Sequence, residues 1–470
     1  MLRFGALALI GALGAACGDN VHPPDAAPLA LLDALRALPN VHDATAMPTA
    51  LAGYTYVVLH VTQPVDHANP SGQTFLQEVS LIHRDFAAPL IIQTSGYWDY
   101  YLDNPVEPTL LLDANQISIE HRYFGTSRPD PADWTKLTIE QMAADEHAIV
   151  AALGQLYGGP KLATGGSKGG MTAIFYRRFF PDDVAGTVPY VAPISYGAPD
   201  PRYVPYLEQV GTAACRAAVR AAAVEMLEHR RAALLADATA SAAQNGFAYT
   251  RVAIGPALES AIVSLEWSFW QYVGIGSCPD VPATTGSDAA MYAFLEDISP
   301  VEASDDAQLA LFEAYDYQAY SQLGYPDDGT EDYLMAYEQY TAADYAGSLP
   351  TAQPAYDGGS AMADVGGWVA SQGDALLFVY GQWDPWSGGM YALGSAADSL
   401  RLVEAQGTHD SDIAHLADSD EQAALDQLAA WTGVTPDASR IRDRLRAPGA
   451  GTLRIPPAAR GALRARHRTP

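Results

Sequence analysis

Residues 163–171 read Ala-Thr-Gly-Gly-Ser-Lys-Gly-Gly-Met, four glycines around one serine and one lysine. Glycine inside an element costs about 0.5–1 kcal/mol relative to alanine, so such crowding needs a reason. Residues 160–164 pattern as a short strand, and the run from Met171 (MTAIFYRRFF) continues as a helix to Pro181. Gly165-Gly166-Ser167-Lys168-Gly169 therefore fits G-x-S-x-G at a strand-to-helix junction, the context of a nucleophile elbow. Glycines there permit a strained turn and close passage of neighbouring backbone. The turn lifts Ser167 to the carboxyl edge of a sheet. The five-residue pattern alone is common in Gly-Ser loops; its setting gives it weight.

The elbow demands a strand–helix rhythm, and the chain supplies one. Residues 54–61 and 76–83 are rich in β-branched and aromatic residues, as strands are. Residues 89–94 (PLIIQT) and 116–120 (QISIE) are short apolar runs of the kind that form buried strands. Thr138-Ile-Glu-Gln141 is a capping-box pattern that opens a helix through about Tyr157. Strands alternating with helices predict a largely parallel sheet. The rhythm stops near 198, where an Ala-rich helical stretch and then an aromatic-dense one follow, and resumes at 375–386 and 400–410. A last helix is expected over 412–432. The fold class is thus α/β, one sheet domain split by a mostly helical cap. The boundaries are 45–197 for its first part, 198–370 for the cap and 371–435 for its second part.

A serine hydroxyl needs a base to become a nucleophile. Asp384 follows the strand LLFVYGQW and His409 follows LRLVEAQG, so both fall on the edge that bears Ser167. Their order, Ser then acid then His, is the one this arrangement uses. Asp410 and Asp412 are rival acids and His415 a rival base, none directly at a strand end. An oxyanion needs two donors. The backbone N–H of Lys168 supplies one, and the loop Ser95-Gly96-Tyr97-Trp98 the other, through Tyr97 N–H.

The chain ends carry different messages. Residues 1–17 form a signal-peptide pattern: Arg3, then thirteen apolar residues from Phe4 to Ala16 whose end, with Cys17, reads Gly-Ala-Ala-Cys, a lipobox-like sequence that points to lipid anchoring at Cys17, with plain secretion the alternative. The run is too short to span a bilayer. Residues 18–44 read as a tether and N-terminal segment. Residues 436–470 are an Arg-rich tail expected to be disordered. From 440 onward nine arginines and one aspartate carry +8, leaving −37 on the rest of a chain whose net charge is −29. So acidic a body argues against nucleic acid as a partner. The two remaining cysteines, Cys215 and Cys278, are expected to pair in an exported protein. There is no C-x-x-C, H-E-x-x-H or phosphate-loop motif, and Gly274-Ile-Gly276 lacks the third glycine of a dinucleotide fingerprint, so no metal or cofactor is implied.

Beyond these local patterns, GGSKGGMTAIFYRRFFPDDVAGTVPYVAP resembles the secreted bacterial prolyl tri/tetrapeptidyl aminopeptidases, a serine peptidase family. EHRYFGTSRP (120–129), DPWSGG (384–389) and YQAYSQLGY (317–325) resemble it too, and are distantly similar to the lysosomal Pro-X carboxypeptidases and dipeptidyl peptidases. The similarity covers most of 45–432. The resemblance implies an α/β-hydrolase with a helical cap, Ser167, Asp384 and His409 as nucleophile, acid and base, and release of short N-terminal peptides by cleavage after proline. Lys168 after the nucleophile points to the aminopeptidase group.

Proline is compact and lacks an N–H, so its pocket should be small and aromatic. Tyr317, Tyr320 and Trp386 are candidate walls, with Trp383 behind them. A free substrate amine calls for an acid: Glu120, Glu266, Glu313 or Asp316. Arg122 reads as a structural pin. A lipase or esterase on the same fold, a dipeptidyl or Pro-X type exopeptidase, and a non-enzymatic peptide-binding lipoprotein are the competing readings. A pure binder would have no use for all three of Ser167, Asp384 and His409.

Overall fold

The computed structural model describes residues 26–441. The signal-peptide pattern, Cys17, most of the tether and most of the Arg-rich tail lie outside the described residues. Nine strands form one sheet: β1 (Val41–Met47), β2 (Thr55–Pro64), β3 (Thr74–His83), β4 (Leu90–Thr94), β5 (Asn115–Ile119), β6 (Lys161–Gly166), β7 (Gly186–Tyr190), β8 (Leu377–Gly381) and β9 (Leu400–Glu404). Their order across the sheet is β1-β2-β3-β5-β4-β6-β7-β8-β9. The first three pair antiparallel, as does β3 with β5; from β5 to β9 every pair is parallel.

Alternation along the strands divides the core into two layers. In β8, Leu377 and Val379 pack on the side of the closing helix Asp418–Thr432, with its Ala424 and Leu428. Leu376, Phe378 and Tyr380 turn the other way, toward Ile174 of the helix Lys168–Phe179. On that same side Ile92 of β4 meets Ile149 of the helix Ile139–Leu153. Strands covered on both faces read as continuous apolar runs, and β4, β5 and β8 are buried throughout. This mostly parallel sheet with helices on both faces is the α/β-hydrolase fold.

Several boundaries differ from expectation. A helix Ala26–Arg36 and β1 extend the sheet domain to residues read as an N-terminal segment. Only Ala44 of β1 is buried, so no apolar alternation marks that edge strand. The closing helix starts at Asp418 rather than near 412, because Asp412 caps a separate turn, Ile413–His415. Thr138 caps its helix by accepting from Gln141 N at 3.2 Å. The Gln141 side chain completes no capping box: it donates to Asp66 and accepts from His67 N.

Between β7 and β8 the chain is helical. Helices from Ala213 to Ile298 build a core of their own around Val219, Leu258, Trp267, Trp270 and Leu295. Cys215 and Cys278 are joined there, with Cα atoms 5.6 Å apart. The helix Ser360–Gln372 falls largely within the expected 198–370 insertion, yet its Val365 and Val369 pack on the sheet with Phe378.

The sheet winds one way from β4 to β5 and the other way from β6 through β9. The carboxyl ends of β4 and β6 therefore lie side by side at the switch point, where open α/β sheets place their ligands.

Candidate active site

Ser167 sits at that point, immediately after β6. Its φ of 56° and ψ of −125° lie in a region that side-chain-bearing residues avoid. Its N–H donates to Tyr190 O at 2.9 Å, which fixes the turn. The strain rests on the serine itself. Two flanking glycines serve close approach instead: a Cβ on Gly165 would lie 2.4 Å from the Gly169 backbone, and one on Gly169 would lie 2.4 Å from Thr94 O. The elbow is thereby pressed onto the end of β4.

Lys168 opens the following helix and is 3% exposed. Its Nζ donates to Gly96 O and lies 5.1 and 5.0 Å from the ring centres of Tyr97 and Phe124. Burial pushes its ammonium well below the ordinary value, with the Glu146 charge opposing. Gly96 and Tyr97 form the turn after β4. The Tyr97 carbonyl is held by His121 N at 2.9 Å and by the Ser95 hydroxyl at 2.7 Å.

Asp384 and His409 are fully and almost fully buried. Asp384 Oδ2 lies 2.7 Å from His409 Nδ1, and Oδ1 accepts from Trp386 N at 3.1 Å. Burial raises the Asp384 carboxyl above the usual carboxylate range, and the attraction of His409 opposes it. The Asp384 bond puts the proton of a neutral His409 on Nδ1 and leaves Nε2 as the basic atom. Nε2 is buried without a hydrogen-bond partner among the described residues. The His409 N–H donates to Gln271 O at 2.8 Å, and the Tyr272 ring stands edge-on to the imidazole at 6.1 Å. Two of the rivals engage each other: His415 Nδ1 pairs with Asp412 at 2.5 Å.

Ser167 opens into a small pocket of about 30 Å³ walled by Tyr97, Met171, Gln271, Tyr272, Phe312 and Trp386, among others. Trp386 and Tyr315 also wall a larger cavity of about 280 Å³, lined by Tyr320 and by the acidic residues Asp316, Asp327, Asp328 and Glu338, among others. Of the residues expected to wall a proline pocket, Tyr320 lines the larger cavity and Trp386 lines both. Tyr317 is a correction: it packs on Trp134, with ring centres 5.2 Å apart, and lines neither cavity.

Glu120 is a second correction. Its buried carboxylate accepts from the backbone N–H groups of Asp99, Thr126 and Ser127 and from the Ser127 hydroxyl, so it ties loops together, and it lines neither cavity. Glu266 is held by Arg220 and Tyr333, and Glu313 by Thr351. Asp316 alone of the four expected acids reaches the larger cavity. Sequence reading missed Asp327, Asp328 and Glu338, which come from loops with no strand end or spacing to mark them. Arg122 is the structural pin expected, forked onto Asp145 at 2.6 and 2.7 Å and bonded to Val65 O and Lys136 O.

Comparison with known proteins supplies an independent line. The family model described as PS-10 peptidase S37 matches residues 26–451. A prolyl tri/tetrapeptidyl aminopeptidase of Streptomyces mobaraensis is 39% identical over 447 residues, 94% of this chain and 93% of that protein. The human lysosomal Pro-X carboxypeptidase is 30% identical over 191 residues, 36% of this chain and 38% of its own. Among solved structures, proline iminopeptidase of Mycobacterium smegmatis is 16% identical with a TM-score of 0.33, over 79% of this chain and 98% of its own.

Proposed function

Because the chain belongs to the PS-10 peptidase S37 family and is a serine peptidase, we propose that it releases short peptides, mainly tripeptides, from free N-termini by cleaving after proline. His409 Nε2 takes the Ser167 proton as Oγ attacks the carbonyl carbon of the proline residue. Asp384 keeps the imidazole in the required tautomer and stabilises its charged form. The N–H groups of Lys168 and Tyr97 receive the oxyanion. His409 then returns the proton to the leaving amine, and the peptide bond breaks. Water, deprotonated by His409, hydrolyses the acyl-enzyme and frees Ser167.

The observation that carries the specificity is the pair of adjoining cavities. A small aromatic pocket at Ser167 suits a proline ring. The larger cavity next to it, lined by four acidic residues, suits a short segment ending in an ammonium. Asp316, at the Tyr315 wall common to both, is the acid that best fits the amine. The full-length similarity to an enzyme named for tripeptide and tetrapeptide release supports the same reading. Hydrolysis of Ala-Ala-Pro-p-nitroanilide with a free and with a blocked amine tests it. Rapid cleavage of the free form only is expected. Turnover of p-nitrophenyl esters with neither anilide cleaved would make the enzyme an esterase.

Export belongs to the same proposal. The apolar run ending at Cys17 supports a signal peptide with a lipid anchor, and the Cys215–Cys278 bridge suits an oxidising compartment. No helix among the described residues is long and apolar enough to cross a membrane. In this proposal attachment is through a lipid on Cys17. Cys17→Ala is expected to move the protein from the membrane fraction to the soluble one on cell fractionation. Unchanged sedimentation would remove the anchor from the proposal.

A further inference from the structure

Burying an ammonium is costly unless the fold compensates it, and the chain places one directly after Ser167. The Lys168 ammonium is enclosed by the Tyr97 and Phe124 rings and donates to Gly96 O. The other charged or titratable groups that act on it or feel it are Glu146, on the helix Ile139–Leu153, and His121, after β5. Cation–π contact and one strong hydrogen bond give it its place.

Gly96 has a positive φ of 73°, and a Cβ there would lie 2.6 Å from Gly169 N and 2.8 Å from the Lys168 carbonyl carbon. The residue must be glycine. A glycine turn lets its following peptide rotate easily, and an oxyanion donor works only if its direction is set in advance. The Gly96–Tyr97 peptide is trans, so its C=O and N–H point opposite ways. Whatever holds Gly96 O therefore also sets the direction of Tyr97 N–H.

We infer that the Lys168 side chain is a positioning residue for the oxyanion site: its ammonium locks the Gly96–Tyr97 peptide, so that one residue supplies the first donor through its N–H and orients the second through its side chain. The inference rests on the proposed serine mechanism with Tyr97 N–H as a donor. It explains why a chain would keep a buried charge where an apolar or phenolic side chain would fill the space at lower cost.

The test compares wild type, Lys168→Met and Ser167→Ala on Ala-Ala-Pro-p-nitroanilide. Two inhibitors are titrated beside it: the tetrahedral mimic Ala-Ala-boroproline and the product Ala-Ala-Pro. In Lys168→Met, kcat is expected to fall about 10–100-fold with KM within threefold. Boronate affinity should fall by the factor lost in kcat/KM, and product affinity should hold. A kcat within twofold of wild type, or equal weakening of boronate and product, overturns the positioning role. Full activity in Ser167→Ala would instead sink the underlying mechanism, so the two failures are distinguishable. If Lys168→Met does not fold, Phe124→Leu removes one ring face and keeps the ammonium. A two- to fivefold loss in kcat at constant KM then supports the inference, and an unchanged kcat overturns it.

Discussion

Ser167 holds a backbone conformation that costs a non-glycine residue on the order of 1–3 kcal/mol. Ser167 lines the small pocket, so if it is the nucleophile, stability and activity should trade against each other at this residue. Ser167→Gly is expected to unfold in urea at a free energy about 1 kcal/mol above that of Ser167→Ala, with both inactive. Ser167→Ala should lose on the order of 10⁶ in kcat, His409→Ala a similar factor, and Asp384→Asn about 10⁴. Near-normal turnover in Ser167→Ala would remove the assignment of the nucleophile. Ser167, Asp384 and His409, the residues proposed to react, could be picked out in the sequence because each follows a strand's carboxyl end, where local pattern alone places it. Glu120 also sits at a strand end and misled for that reason. Its partners Asp99, Thr126 and Ser127 come from two separate loops, and nothing local shows that they saturate it. Tyr317 shows the same limit: a tyrosine in an aromatic-rich cap reads alike whether it packs on Trp134 or lines a cavity.

At the scale of elements, what matters is how the loops that follow the strands are tied to one another. The short helix Glu107–Leu111 carries Glu107, whose buried carboxyl accepts from Tyr190 OH at 2.8 Å and from Ile413 N and Ala414 N at 3.0 and 2.9 Å. It thereby anchors the segment that follows His409. Burial first, and the charge of Asp412 second, push Glu107 up to about 8. A folded value above the unfolded one means that the folded state holds the proton. The stabilisation is whole below the usual carboxylate value, shrinks as pH rises, and is lost beyond about pH 8. Glu107→Gln stays neutral throughout. Its Tm relative to wild type is expected to rise steadily between about pH 5 and pH 8; a constant difference would show that Glu107 does not titrate there. Gly169→Ala tests the elbow's seating. Its Cβ would meet Thr94 backbone, so a loss of at least 1–3 kcal/mol in urea unfolding is expected. Most strands were legible because buried parallel strands are short apolar runs between turn residues. β1 was not, since one buried alanine in seven residues leaves no pattern.

At the scale of the molecule, the helical segment between β7 and β8 meets His409 through a backbone bond, His409 N–H to Gln271 O, and through the Tyr272 ring. Gln271 belongs to the helix Leu265–Tyr272, and the next turn, Ile275–Asp280, carries Cys278. The bridge to Cys215 therefore fixes the very stretch that meets His409 and walls the serine pocket with Gln271 and Tyr272. Closing a loop of 63 residues limits the unfolded chain by about 4 kcal/mol on the chain-entropy model. Most of that stability should fall on this segment, because its core around Trp267 and Trp270 is largely separate from the layers on the sheet. Two consequences can be measured on the Cys215→Ser, Cys278→Ser double variant. The temperature at which peptidase activity is lost should drop by several degrees, while the sheet domain, followed by far-UV circular dichroism, melts near its original temperature. Below the transition, KM for Ala-Ala-Pro-p-nitroanilide should rise more than kcat falls, since the loosened helix forms pocket wall while Asp384 and His409 stay buried on the sheet. A single melting transition shifted as a whole would instead mean that the helical segment and the sheet unfold as one cooperative unit, with Gln271 and His409 among the contacts that join them.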